Sequence, residues 1–263
     1  MSMPARTSLT RRQLLAAGAA TVAASGLAFA PSVEARARRA TFVLVHGAWH
    51  GGWCWRRVAD RLTAKRHYVV APTLSGVGER SHLASDAIDL TTQINDVVNE
   101  IKWKDLDGVV LVGHSYGGCV ITGVAEQIRE RIAAIVYLDA FLPRDGESLS
   151  DMLGPARVWP EHLAPPIPAE VFKVNEKDRA WVNSKMTPHP VRCFTEKLKV
   201  TGANQTIAKK LYIRALDFEN PPFDAALERC RQDASWQTAT MKCGHDIMLD
   251  QPAELTAMLE RLI

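Results

Sequence analysis

From about residue 41 the chain alternates short, almost wholly apolar runs with longer stretches in which apolar residues recur every three or four positions. The runs Thr41–His46, Tyr68–Pro72, Gly108–Gly113, Ile132–Leu138, Leu211–Leu216 and Trp236–Lys242 predict strands. Their near-continuous Val, Ile and Leu is what a strand requires when both of its faces are covered. Between them, Trp55, Val58, Ala59 and Leu62 share one helical face, as do Leu90, Ile94, Val97, Val98 and Ile101, and again Leu255, Met258, Leu259 and Leu262. Strands and helices taking turns in this way predict an α/β fold, a mostly parallel sheet with helices on both faces.

The alternation breaks between about residues 144 and 208. That stretch holds Leu163-Ala-Pro-Pro-Ile-Pro168, helical fragments around Trp181, and Met186-Thr-Pro-His-Pro190. Structureless loops of such length are uncommon in compact domains, so a folded lid inserted between two strands is expected. Its Trp159, Trp181 and Met186 suggest that it roofs a hydrophobic pocket.

Composition adds two constraints. With 263 residues, 47% hydrophobic and 23% charged, one globular domain over residues 40–263 is the natural reading. The formal charge of +3 comes from Arg6, Arg11 and Arg12; without them 29 basic residues face 29 acidic ones, and nothing argues for nucleic acid as a partner. Residues 1–30 carry the twin arginines, then an uncharged Ala-rich stretch closing on Ala28-Phe29-Ala30, the pattern of a twin-arginine export signal. Its Ala- and Gly-dominated middle is too short and weakly apolar for a stable membrane anchor. Export machinery, a linker over residues 31–39 and a periplasmic or extracellular destination follow as expectations. The five cysteines show neither metal-ligand spacing nor CxxC; an oxidising compartment would permit a Cys193–Cys230 bridge.

The chemistry is concentrated in Gly113-His114-Ser115-Tyr116-Gly117, where a predicted strand turns at once into a helix from Gly117 to about Ile128. Glycines two before and two after Ser115 remove the Cβ atoms that would collide in so tight a turn, and the strained corner lifts the hydroxyl over the sheet edge as a nucleophile. The Tyr116 N–H, at the helix start, is one candidate oxyanion donor; the Ala48 N–H, beside Gly47 in the loop after the first strand, is the second. His245, behind Gly244 and between the last strand and the last helix, is the candidate base, with His46 and His50 bracing the oxyanion turn. Two aspartates compete as the acid. Asp217 ends the strand Leu211–Leu216, ahead of a helix that Asn220 caps and Pro221 opens. Asp139, at the end of Ile132-Ala-Ala-Ile-Val-Tyr-Leu138, would be costly to bury without a charged or multiply hydrogen-bonded partner.

With these residues the chain resembles the α/β-hydrolases, and within them the small lid-bearing group of plant methylesterases, the salicylate-binding esterase, hydroxynitrile lyases and bacterial ester hydrolases. The resemblance rests on Val43-Leu-Val-His-Gly-Ala-Trp-His-Gly-Gly-Trp-Cys-Trp55, Pro72-Thr-Leu-Ser-Gly-Val-Gly-Glu-Arg80, the Ser115 turn, Tyr137-Leu-Asp-Ala-Phe-Leu-Pro143 and Gly244-His245. It implies a Ser-His-Asp triad, oxyanion amides at Ala48 and Tyr116, and no cofactor or metal. The lyases of the group carry Lys after the triad His and Thr where this chain has Gly47; Asp246 and Gly47 argue against lyase chemistry. The conventional position of the acid favours Asp217, although the methylesterase pattern places its Asp slightly later beyond the strand with a different local sequence; the haloalkane dehalogenase placement favours Asp139. The expected function is a carboxylesterase-type serine hydrolase acting on esters or similar acyl bonds of small apolar compounds. The alternatives are a ligand-binding member with little turnover, and C–C or C–N bond chemistry on the same scaffold.

Overall fold

The computed structural model describes residues 39–155 and 157–263. The expected leader and all but the last residue of the expected linker lie outside the described residues. The chain runs β1 (Thr41–Val45), α1 (Arg56–Ala64), β2 (Tyr68–Val70), α2 (Leu90–Trp103), β3 (Val109–His114), α3 (Gly117–Ile128) and β4 (Ile132–Leu138). An insertion follows with α4 (Leu149–Leu153), β5 (Leu163–Ala164), α5 (Glu176–Lys185), β6 (His189–Pro190) and α6 (Arg192–Thr195). The main fold resumes with β7 (Lys209–Ala215), α7 (Pro221–Arg231), β8 (Trp236–Met241), α8 (Ile247–Asp250) and α9 (Pro252–Glu260).

Six strands form one parallel sheet in the order β2-β1-β3-β4-β7-β8. All six residues of β3 are buried, so both faces of the sheet centre are covered, as its unbroken apolar run requires. The edge strand β8 is instead polar and exposed along its middle. The amphipathic stripes pack as the periodicity predicts: α1 lies against α9 and α2 against α3. Asp89 fixes the start of α2 by accepting the Thr92 N–H at 2.8 Å.

Register is what places the chemistry. His114 of β3 pairs with Leu138 of β4, and Leu138 with Ile213 of β7. The next residues, Ser115, Asp139 and Arg214, therefore stand side by side at the carboxyl end of three neighbouring strands. In open α/β sheets that edge carries the ligand site.

Candidate active site

The corner between β3 and α3 holds Ser115 at φ +55°, the left-handed region that a non-glycine residue adopts only when its surroundings enforce it. Here they do. The Ser115 N–H donates to Leu138 O (3.2 Å), and its carbonyl accepts from Gly118 (3.0 Å) and Phe141 (3.1 Å). A Cβ on Gly117 would lie 2.7 Å from His46 O, and one on Gly113 would lie 2.6 Å from Gly117 O, so neither position admits a side chain.

The loop after β1 approaches from the other side. A Cβ on Gly47 would stand 2.8 Å from Ser115 Cβ, which leaves no room for the Thr of the lyase pattern without displacing the serine. Ala48 and Tyr116 both line the cavity that Ser115 faces, and neither amide donates to a turn or loop carbonyl among the described residues. Two histidines hold this loop, as expected. His46 Nδ1–H donates to Gly47 O (2.8 Å) while its Nε2 accepts the Leu74 N–H (3.0 Å), and burial pushes its pKa down to about 4. His50 donates from Nδ1 to Ala48 O (2.8 Å) and from Nε2 to Asp246 Oδ2 (3.0 Å). Both partners are pure acceptors, so the ring carries two protons and a positive charge. Burial opposes that charge, but Asp246 outweighs it and raises the His50 pKa; the same pairing, again against burial, holds the Asp246 carboxyl well below the usual range.

His245 lies with its ring buried, and its backbone N–H donates to Phe172 O of the insertion at 2.9 Å. His245 Nδ1–H donates to Asp139 Oδ2 at 2.6 Å, which leaves Nε2 to exchange protons. Asp139 is fully buried at φ +43° and its second oxygen accepts from Arg214 Nη1 (2.8 Å) and the Ala215 N–H (3.0 Å). The charged, multiply bonded partnership that its apolar context demanded is thus present. Asp217 is a different case. It is exposed, its backbone N–H donates to Cys243 O (3.1 Å), and it faces a separate surface hollow with Glu170 and Lys173. The strand Leu211–Leu216 ends one residue sooner than expected, at Ala215, so the chain turns outward before Asp217.

Ser115 and His245 line one cavity of about 320 Å³ walled largely by aromatic rings and roofed by Leu149, Leu153, Trp159 and Phe172 of the insertion. Of the three apolar lid residues expected there, only Trp159 contributes; Trp181 packs edge-on against Trp53 (5.0 Å) and Met186 is buried elsewhere. Asn220 also lines the cavity, but its side chain makes no capping bond to α7. All five cysteines are free and buried, so the Cys193–Cys230 bridge is not made. Among the described residues no group of three His, Cys, Asp or Glu side chains is placed to hold a metal, and no helix is long and apolar enough to cross a membrane.

Residues 42–258 match the model of the alpha/beta hydrolase family. The chain belongs to that family. A carbendazim hydrolyzing esterase from Nocardioides sp. (strain SG-4G) is 41% identical over 241 residues, covering 85% of this chain and 99% of that protein. Methylesterase 1 of Arabidopsis thaliana is 30% identical over 154 residues, 58% of this chain and 52% of that one. Among solved structures, an extracellular alpha/beta-hydrolase from a Paenibacillus species superposes with a TM-score of 0.72 at 24% identity, covering 85% of this chain and 98% of that one.

Within this alpha/beta hydrolase, three site residues escape a reading of sequence alone. Arg214, the only charge in Leu211-Tyr-Ile-Arg-Ala215, signals itself as a buried cation in need of an anion. Asp246 is legible only as a departure from the lyase Lys. Asn220 reads as an ordinary helix cap until the fold shows its amide unoccupied.

Proposed function

We propose that this ester hydrolase works through an acyl-enzyme formed on Ser115. His245 Nε2 takes the hydroxyl proton as Ser115 attacks the carbonyl, and returns it to the leaving alcohol; Asp139 orients the ring and stabilises the imidazolium. Arg214 and the Ala215 amide hold Asp139 as a fixed anion. The Ala48 and Tyr116 N–H groups receive the oxyanion, each contributing about 2.7–4 kcal/mol to the transition state. Water then cleaves the acyl-enzyme by the same steps in reverse order.

The observation that carries this reading is the 2.6 Å bond from His245 to Asp139, made by a ring that shares its cavity with Ser115 and with both candidate oxyanion amides. The aromatic walls support small apolar esters as substrates, with residues 144–208 as the lid. The Nocardioides relative, which hydrolyses carbendazim, supports an ester-type bond as the one cut. The twin-arginine leader supports export of the folded chain by that machinery, to the periplasm or beyond. The test is p-nitrophenyl acetate turnover together with fluorophosphonate labelling: wild type should show both and Ser115→Ala neither. A Ser115→Ala variant that kept wild-type turnover would sink the proposal.

A further inference from the structure

Trp49 follows the Ala48 amide and stands at φ +64°, a left-handed conformation that a bulky side chain does not adopt unaided. The insertion holds it there. The Trp49 N–H donates to His189 Nδ1 (3.2 Å), its carbonyl accepts the Thr187 N–H (3.0 Å), and its indole Nε1–H donates to Ala164 O (3.1 Å). Ala164 and His189 are partners in the antiparallel pair β5–β6, so one small hairpin and the residues leading into it grip every polar group of Trp49.

His189 is fully buried, and its two ring nitrogens have opposite roles. Nδ1 must be bare to accept from Trp49, so Nε2–H is the donor to Gln93 Oε1 (3.2 Å), an oxygen that also accepts the Tyr116 O–H at 2.7 Å. Burial, helped by the nearby His46, pushes the His189 pKa well below its ordinary value and so keeps Nδ1 free of a proton. The ring takes no part in the chemistry of Ser115 and His245, yet it reaches both residues whose amides are the candidate oxyanion donors. Two peptide planes meet at Ala48. His46 holds the first through Gly47 O; the second is held at its Ala48 O by His50 and at its Trp49 N–H by His189.

We propose that His189 is a positioning residue for the oxyanion hole: its bare Nδ1, by accepting the Trp49 N–H, holds the strained loop in the one conformation that presents the Ala48 amide to the reacting carbonyl. The insertion thereby helps to build the site that it roofs. The inference rests on the reading of Ser115 as nucleophile and of Ala48 as oxyanion donor. Without the acceptor, the Trp49 N–H is left buried and unpaired and the left-handed φ loses a restraint, so the loop relaxes and fewer molecules hold the competent shape. The loss falls on the transition state, where the oxyanion forms.

Two substitutions in the full-length enzyme separate the two nitrogens. His189→Asn places an acceptor oxygen where Nδ1 was and gives up the donor to Gln93; His189→Gln keeps a donor where Nε2 was and gives up the acceptor for Trp49. Both lose the ring that packs on Phe194 (4.6 Å) and Tyr116 (5.1 Å), so both should melt at lower temperature than wild type. Only His189→Gln should lose kcat for p-nitrophenyl acetate, by about tenfold or more, while His189→Asn stays within about threefold of wild type. Inhibition by phenyl trifluoromethyl ketone, whose adduct with Ser115 carries an oxyanion, should weaken in parallel with kcat. Equal losses in the two variants, no loss in either, or a loss confined to His189→Asn overturns the inference. If His189→Gln fails to fold, the ring ¹⁵N shifts of His189 in the wild type decide: a bare Nδ1 with a protonated Nε2 at pH 7 supports the inference, and a proton on Nδ1 overturns it. Wild-type turnover and Ser115 labelling with equal variants leave the catalytic reading standing. Absence of both in wild type overturns that reading, and this inference with it.

Discussion

Two histidine–aspartate pairs lie within one site, and they differ in what is left over. In the His245–Asp139 pair one ring nitrogen meets the carboxylate at 2.6 Å and the other remains for the reaction, while Arg214 supplies a separate cation to balance the acid. In the His50–Asp246 pair both ring nitrogens are occupied, by Asp246 and by Ala48 O, and the ring itself is the cation. The first pair can pass a proton. The second can only hold a shape: it pins the Ala48 carbonyl and so the plane of the Ala48–Trp49 peptide, while the plane that carries the Ala48 N–H contains Gly47 O, which His46 holds. The lesson is that an imidazole beside a carboxylate is not in itself a catalytic unit; the unoccupied nitrogen makes it one.

Breaking the first pair should have the largest effect. Asp139→Asn keeps the volume but presents an amide to Nδ1 and removes the charge that stabilises the imidazolium, so kcat for p-nitrophenyl acetate should fall by about four orders of magnitude. A fall of less than tenfold would remove Asp139 from the triad.

Asp246→Asn should act more weakly on turnover and more strongly on the fold. With the Ala48–Trp49 peptide less firmly held, kcat should drop by less than the roughly 10²–10³-fold of one lost oxyanion donor, because His46 still holds the plane of the Ala48 N–H. The buried His50 charge left without its partner should cost about 3–5 kcal/mol of stability, measured as a shift in the denaturant midpoint. The pair also predicts a pH window. His50, raised above 6.5, contributes stability that is complete below that value and is lost as the pH climbs through its folded pKa. Asp246, lowered from 3.8, contributes stability that is complete above that value and is lost as the pH falls through its folded pKa. Denaturant midpoints of wild type and Asp246→Asn should therefore differ most between these limits and converge outside them. A constant offset across the whole range would show that the pair is not charged.

The smallest effect sharpens the comparison from outside. Asp217→Asn alters an exposed carboxylate that faces away from the cavity, and should leave kcat within about twofold and the melting temperature unmoved, as exposed substitutions generally do. Loss of activity there would mean that the base changes partners during turnover.

The strained corner at Ser115 was open to reading from the chain because its constraints are local. Strand, turn and helix around Ser115 occupy consecutive residues, and the glycines that permit the turn sit two positions away on either side. His245 was legible for a similar reason, lying between a recognisable strand and helix. The choice between Asp139 and Asp217 was not, since both close a strand and both precede His245 in the chain. Only the pairing register, Leu138 with Ile213, and the early end of β7 at Ala215 put one carboxylate against the ring and turned the other to solvent.

Hydrophobic periodicity and local turn chemistry thus determined the sheet, the helices, the strained serine and the loop that faces it, because each depends on residues within a few positions of one another. Which aspartate meets His245 and which histidine is charged depend on contacts between residues 75 to 196 positions apart, such as Arg214 with Asp139 and His50 with Asp246. Such contacts exist only once the strands have settled into register and the insertion has closed over them, and that is the part the tertiary structure decided.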